Sequence, residues 1–128
     1  MKLENQLALA VVLSSALASP MAVAGPADVT SARAECSERR ICTFKVTVNH
    51  ADEGWSHYAD RWEVVAPGGE ILAARVLRHP HVGEQPFTRS LTDVPIPASV
   101  TEVTIRAHDS VHGFGGAELT VEVAGADN

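Results

Sequence analysis

Apolar and polar residues alternate along most of the chain after residue 25, and this two-residue period strongly constrains the fold. In residues 43–49, Phe44, Val46 and Val48 fall on one face of an extended chain, and the residues between them are polar. Such a segment predicts a strand with one face in the core and the other in solvent. No segment beyond residue 25 follows the period of an amphipathic helix, so we expect an all-β protein.

The breaks in this alternation are rich in Gly, Pro, Asp and Ser, and they divide the chain into about seven short strands. The predicted strands are residues 29–34, 43–49, 58–65, 71–77, 87–91, 103–107 and 119–123. Residues 92–99 are interpreted as a connection, because Pro95 and Pro97 cannot both serve a central strand. This pattern is typical of an immunoglobulin-like antiparallel β-sandwich.

Residues 1–24 are predicted to be a signal peptide. Lys2 is followed by an apolar run over residues 7–18, and Ala22 and Ala24 have the spacing of a cleavage site. The run is shorter than the ~20 residues of a membrane-spanning helix. We therefore expect residues 25–128 to form a single β-sandwich domain that is periplasmic or secreted, without stable membrane insertion.

The cysteines and the charge narrow the functional classes. Cys36 and Cys42 are the only cysteines, and export to an oxidising compartment predicts a disulfide between them. The net charge is −6 and the basic residues form no run, so nucleic acid is not expected as a partner.

The histidines are expected to gather at one end of the sandwich. If successive strands alternate in direction, the loops after residues 49, 77 and 108 meet there. These loops carry all six histidines, namely His50, His57, His79, His81, His108 and His112. Converging imidazoles bind zinc, copper, nickel or iron, although polar loops also collect histidines without a metal. Acidic residues that would orient or complete such a site are Asp52, Glu53, Asp60, Glu84 and Asp109.

Two motifs resemble those of superoxide reductases and desulfoferrodoxin-type domains. His50 and His57 bracket a short loop before a strand, like the paired iron-ligating histidines of that family. Residues 109–113, Asp-Ser-Val-His-Gly, resemble its closing Cys-Asn-x-His-Gly motif. The resemblance covers residues 43–116 and implies an immunoglobulin-like fold with iron bound by His50, His57 and His112. Asp109 falls where the family has its axial cysteine.

The family's early histidine and the lysine beside it have no counterpart before His50, and His79 or His81 is a candidate replacement. We therefore predict that the metal ligands are drawn from His50, His57, His79, His81, His112 and Asp109. The predicted metal is iron, which the resemblance implies, or copper, at which divalent-metal affinity peaks. The predicted function is an exported metal carrier or redox centre, with superoxide reductase-like activity as the candidate oxidoreductase reaction.

Other functions stay open. A protein-interaction module would use Trp55, Phe87 and Phe114 as a recognition rim. Exported carriers of oxidised sulfur compounds use a similar sandwich, but no cysteine here lies on a flexible tail. A hydrolase is disfavoured because no serine lies in a nucleophile-elbow context.

The arginines of the middle strands and loops are not expected to bind a ligand. Arg61, Arg75 and Arg78 are interpreted as solvated or salt-bridged rather than anion-binding, because no phosphate-cradling glycine loop adjoins them. Arg89, or alternatively Glu84, is predicted to hold the loop of His79 and His81 in place.

Overall fold

The computed structural model describes residues 24–123, and strands form in all seven predicted regions. Within this range the strands are β1 (Asp28–Cys36), β2 (Ile41–Asn49), β3 (Ala59–Val65), β4 (Ile71–Val76), β5 (Phe87–Pro95), β6 (Glu102–Asp109) and β7 (Leu119–Glu122). The predicted signal peptide, apart from Ala24, lies outside the described residues. No helix in the described part is long and apolar enough to cross a membrane.

The described strands form two antiparallel sheets that pack face to face. One sheet has the order β1-β2-β5, and the other has the order β4-β3-β6-β7. The alternation in β2 buries Phe44, Val46 and Val48 completely, and they belong to the same core cluster as Trp62 and Ile105 of the second sheet. The predicted all-β sandwich of about seven strands is confirmed.

Strand β5 is longer than the sequence predicted. It continues to Pro95, so interpreting all of residues 92–99 as a connection was wrong. β5 is an outer strand that pairs only with β2, and an outer strand tolerates a proline because one side of its backbone needs no partner. The pairing shifts register between Cys42 and Phe44, where Asp93 adopts a positive φ of 59°.

The predicted disulfide is confirmed. Cys36 and Cys42 are bonded and pair across the β1–β2 hairpin. This hairpin lies at the start of β2, and His50 follows the other end of that strand. The disulfide and the first candidate ligand are therefore at opposite ends of the sandwich.

The outer strands of the two sheets meet along both sides of the molecule. On one side β1 lies beside β7, and the Val29 amide donates to the Ala117 carbonyl at 2.8 Å. A Cβ atom at Gly116 would lie 1.9 Å from the Ala27 carbonyl oxygen, so only glycine fits there. On the other side β4 lies beside β5, and Arg75 Nε donates to the Ser90 carbonyl at 2.9 Å.

Candidate metal centre

The loop after β2 positions two imidazoles through a tight turn. His50 follows the strand directly, and the Asp52 amide donates to the His50 carbonyl at 2.8 Å. The chain then turns at Gly54, whose φ of 110° strongly favours glycine, and Gly54 pairs with His57 in an isolated bridge. His50 and His57 consequently face each other, with ring centroids 4.9 Å apart.

The loop after β6 is built by the side chain of Asp109. Its Oδ1 accepts hydrogen bonds from the backbone amides of Val111, at 2.8 Å, and His112. Such a turn is one that Asp forms readily, and Gly113 closes it with a φ of 73°. Because Oδ1 is used by the turn, Oδ2 is left to face the imidazoles.

Backbone pairing ties the two loops together. The Ser110 amide donates to the Tyr58 carbonyl at 2.9 Å, and the Tyr58 amide donates to Ser110 Oγ at 3.0 Å. The histidines of the first loop are therefore held against the turn of the second.

Asp109 Oδ2 lies at the centre of the resulting group, which we call the imidazole–carboxylate cluster: His50, His57, Asp109 and His112. This oxygen is 3.2 Å from His50 Nε2, 3.4 Å from His57 Nε2 and 3.0 Å from His112 Nδ1. His57 Nε2 and His112 Nδ1 are 3.2 Å apart. Ligand atoms of His50, His57 and Asp109 all lie within 4.8 Å of one another.

The distances from Asp109 Oδ2 to the three imidazole nitrogens are close to those between ligand atoms in a metal's coordination shell. Two atoms that each lie ~2.0–2.1 Å from a tetrahedral ion are about 3.3 Å apart. The measured spacings of 3.0 to 3.4 Å around Asp109 Oδ2 are close to that value. The cluster therefore offers two buried imidazoles, one buried carboxylate and a third, more exposed imidazole.

Carboxylates also lie on the far side of two rings, and that of Asp52 is hydrogen-bonded to His50. Asp52 Oδ1 is 2.6 Å from His50 Nδ1, and Glu53 Oε1 is 3.6 Å from His57 Nδ1. Ligating histidines in metal proteins typically have such partners on the second ring nitrogen. Asp52 and Glu53, predicted as orienting residues, occupy those places.

The charges in the cluster favour a cation. Burial acts to raise the pKa of Asp109, but hydrogen bonds from the His112 amide and ring, the Val111 amide and His57 prevail and lower it to about 2. Asp109 is therefore ionised at neutral pH. His50 Nε2 lies 3.2 Å from this carboxylate, yet it makes no hydrogen bond with any residue of the described range.

The cluster is reachable from solvent at one side. His50, His57 and Asp109 are buried, whereas the His112 side chain is 36% exposed. Trp55 lies in the turn between His50 and His57 and is 68% exposed. His112 is therefore the member of the cluster that lies nearest to solvent.

The remaining histidines lie outside this cluster. His108 Nδ1 is 2.6 Å from Asp60 Oδ1, so Asp60, named from the sequence as an orienting residue, holds a histidine that is not in the group. His79 and His81 lie next to each other, with ring centroids 4.6 Å apart. His81 is linked to His50 of the cluster through Asp52, whose Oδ2 accepts from the His81 amide at 2.7 Å, and through Gln85, which accepts from the His50 amide and donates to the His81 carbonyl.

Several other predicted roles are resolved. Arg89 holds the His81 loop, because its guanidinium lies 2.8 Å from His81 Nε2, whereas Glu84 is exposed. Phe87 cannot form a recognition rim because it is buried and stacked on His81. Arg75 and Arg78 form no salt bridge among residues 24–123, and both line a cavity with Arg89. This grouping was not predicted, because it depends on how β4, the loop after it and β5 pack together.

Comparison with known proteins adds one relative. No protein-family model and no solved structure matches the chain. A protein of Halomicrobium mukohataei named "Putative lipoprotein" is 38% identical over 96 residues, which are 75% of this chain and 47% of that protein. The chain thus spans about half the length of this relative. The fold and the cluster define a β-sandwich domain with a candidate metal centre, and the chain is similar to part of that protein.

Proposed function

We propose that this protein is an exported metal-binding domain. The metal would be held by His50, His57 and Asp109, with His112 as the fourth ligand on the solvent side. The observation that carries the proposal is the environment of His50 Nε2, a buried nitrogen without a hydrogen bond in the described chain that faces the ionised carboxylate of Asp109 at 3.2 Å.

The protonation of His50 explains why this observation matters. A neutral ring that donates from Nδ1 to Asp52 carries a lone pair on Nε2. That lone pair and the Asp109 carboxylate repel each other unless a cation lies between them. A transition metal satisfies both groups at once. The competing arrangement is a doubly protonated His50 between two aspartates, which would need no metal.

The donor set bears on the identity of the metal. Two imidazoles and one carboxylate suit non-haem Fe(II), and imidazole nitrogens also suit copper and zinc. We propose iron or copper. Iron receives further support from the resemblance to superoxide reductases, because the three histidines that it matches all belong to the cluster and Asp109 stands at the position of the family's cysteine.

That agreement also favours a second, finer function, a redox centre of the superoxide reductase type. The reaction would convert superoxide to hydrogen peroxide with one electron from an external donor and two protons. Asp109 stands where that family has a thiolate, and a carboxylate is a harder ligand than a thiolate. The expected readout is superoxide-dependent oxidation of the reduced iron-loaded protein, without release of dioxygen. A metal carrier would show none.

Export is supported by three features together. The first 24 residues resemble a signal peptide, a disulfide is typical of an oxidising compartment, and the relative's name describes an exported class of protein. We propose that the protein is periplasmic or secreted.

The test is elemental mass spectrometry on protein exported from cells and purified without an affinity tag. We expect near-stoichiometric metal in the wild type and its loss in a His57→Ala, His112→Ala double variant. His79→Ala is the matched control, because it removes an exposed histidine outside the cluster. Circular dichroism would show that each variant is folded.

Each result has a clear meaning. Loss of metal in the double variant and retention in the control supports the site as built here. Loss in the control would mean that His79 is a ligand and that the cluster is incomplete. Absence of metal from the wild type, even after reconstitution with iron, copper or zinc, would overturn the proposal and favour a doubly protonated His50.

A further inference from the structure

A second, positively charged cavity lies beside the metal centre. It has a volume of about 200 Å³ and is lined by Arg75, Leu77, Arg78, His79, His81 and Arg89. Arginine and histidine make up five of these six residues, and no carboxylate contributes to the lining. An anion is the ligand that such a lining attracts.

The guanidinium groups of this cavity lack acidic partners. None of Arg75, Arg78 and Arg89 forms a salt bridge with a residue of the described chain. Arg75 and Arg89 donate to backbone carbonyls of the strands, and the Arg78 side chain makes no hydrogen bond within residues 24–123. Three positive charges therefore converge without neutralisation.

The protonation state of His81 adds an independent observation. A guanidinium only donates hydrogen bonds, so Arg89 at 2.8 Å makes His81 Nε2 an acceptor. The proton of the neutral ring must then be on Nδ1. That nitrogen is buried, and no described residue accepts from it. A buried N–H donor without an acceptor is costly, and an anion that enters the cavity would supply one after a small shift of the His81 ring.

The position of His81 is also held by its neighbours. Phe87 stacks on the ring with centroids 4.0 Å apart, and Gln85 Nε2 donates to the His81 carbonyl at 3.1 Å. The His81 amide donates to Asp52. The ring therefore stays at the edge of the cavity, and only a small shift is needed to present Nδ1 to an anion.

We propose that this cavity binds a small tetrahedral oxyanion of the sulfate or phosphate class. Arg78, Arg75 and Arg89 would supply the charge, and His81 Nδ1 would donate one directed hydrogen bond. Guanidinium groups match the oxygen spacing of such anions. The site needs no metal, so it stands or falls separately from the proposed function.

The experiment is a sulfate titration followed by NMR at constant ionic strength with chloride as the compensating ion. It is performed on the protein as purified and again after chelation. We expect saturable shifts that include the His81 Nδ1–H signal. In Arg78→Gln the dissociation constant should rise about tenfold, which corresponds to the loss of one charge-assisted contact.

Arg39→Gln is the matched control, because it removes an exposed arginine far from the cavity in sequence and outside its lining. Its affinity for sulfate should equal that of the wild type. The proposal is overturned if the wild type shows no saturable binding, if the His81 signal does not move, or if Arg78→Gln and Arg39→Gln weaken binding equally. Because Arg78 is exposed, both variants should fold.

Discussion

His50 and His81 are both buried histidines, and both are held by the same carboxylate, Asp52, yet their surroundings suit opposite ligands. His50 has aspartate oxygens 2.6 Å from Nδ1 and 3.2 Å from Nε2. His81 has an arginine 2.8 Å from Nε2 and no acceptor at Nδ1 within the described chain. The first environment fits a cation and the second an anion.

The difference teaches that a histidine's neighbours, rather than its burial, decide what it can bind. Asp52 touches both environments, since Oδ1 accepts from His50 and Oδ2 accepts from the His81 amide. Asp52 therefore lies between a site with negatively charged neighbours, at His50, and a site with positively charged neighbours, at His81. Substitutions on either side should therefore have different consequences.

The largest effect is expected for Asp52→Ala. Asp52 is buried and accepts hydrogen bonds from His50, the Ala59 amide and the His81 amide. Its removal leaves three buried donors unsatisfied, so the free energy of unfolding should fall by about 3 kcal/mol or more. Metal affinity should fall about 10- to 100-fold. Urea denaturation and metal competition measure the two effects.

Asp60→Ala is the matched control for that variant. Asp60 is also 2.6 Å from a histidine, His108, but both side chains are partly exposed. We expect a loss below about 1 kcal/mol and no change in metal affinity. Equal losses in the two variants would show that burial of Asp52 between the two histidines has no special importance.

Glu63→Gln should have the next largest effect on stability. It contrasts the arginines that are paired with Glu63 with the arginines of the cavity, which have no acidic partner in the described chain. Glu63 is buried and accepts from Arg61 Nε and Arg106 Nε, each at 2.9 Å. Burial acts to raise its pKa, but the two arginines prevail and lower it. We expect a loss of about 2 kcal/mol at pH 7, measured by urea denaturation.

The lowered pKa of Glu63 fixes the direction of the pH dependence. Its stabilising contribution is complete above the ordinary glutamate pKa of about 4.3 and is lost as the pH falls through the lower value of the folded state. The difference in stability between the wild type and Glu63→Gln should therefore shrink below about pH 4. A constant difference from pH 7 to pH 3 would contradict the role assigned to the two arginines.

Removal of the disulfide should lower the free energy of unfolding by a similar or slightly smaller amount. The variant also tests whether the two ends of the sandwich are independent of each other. Cys36→Ser, Cys42→Ser opens a short loop, which should lower the free energy of unfolding by about 2 kcal/mol. Because the bond lies at the far end of β2 from His50, metal affinity should not change. A parallel loss of metal would mean that the His50 end depends on the hairpin.

The smallest effect is expected for Arg78→Gln. Relief of repulsion among Arg75, Arg78 and Arg89 should raise the melting temperature slightly, by about 1 °C, at low ionic strength. The gain should disappear at high chloride concentration. A clear loss of stability in the absence of sulfate would show that Arg78 already has a partner in the folded protein.

Much of the fold follows from short-range pattern. The alternation in residues 43–49 was sufficient to predict β2, and the breaks located its neighbours. The extension of β5 to Pro95 was not predictable in the same way, because it depends on β5 being an outer strand. That position is a property of the whole sheet.

The candidate site shows the same division. His50, His57, Asp109 and His112 were named from their motifs, and the structure brings them together. The double role of Asp52 and the convergence of three arginines were not predicted. Both features depend on contacts between residues that are far apart in sequence. Asp52 and His81, for example, are separated by 29 positions. His79 and His81 lie outside the cluster, and their role as metal ligands is still a prediction that rests on the position of their loop in the sequence.

The meeting of outer strands on both sides has a consequence for self-association. An outer strand with free backbone groups is a template on which a second chain can add a strand. In the described part of this protein, β1 is partly covered by the segment at Ala117, and a side chain of β4 binds the backbone of β5 at Ser90. Addition of a strand from a neighbouring copy is thereby hindered at these two places.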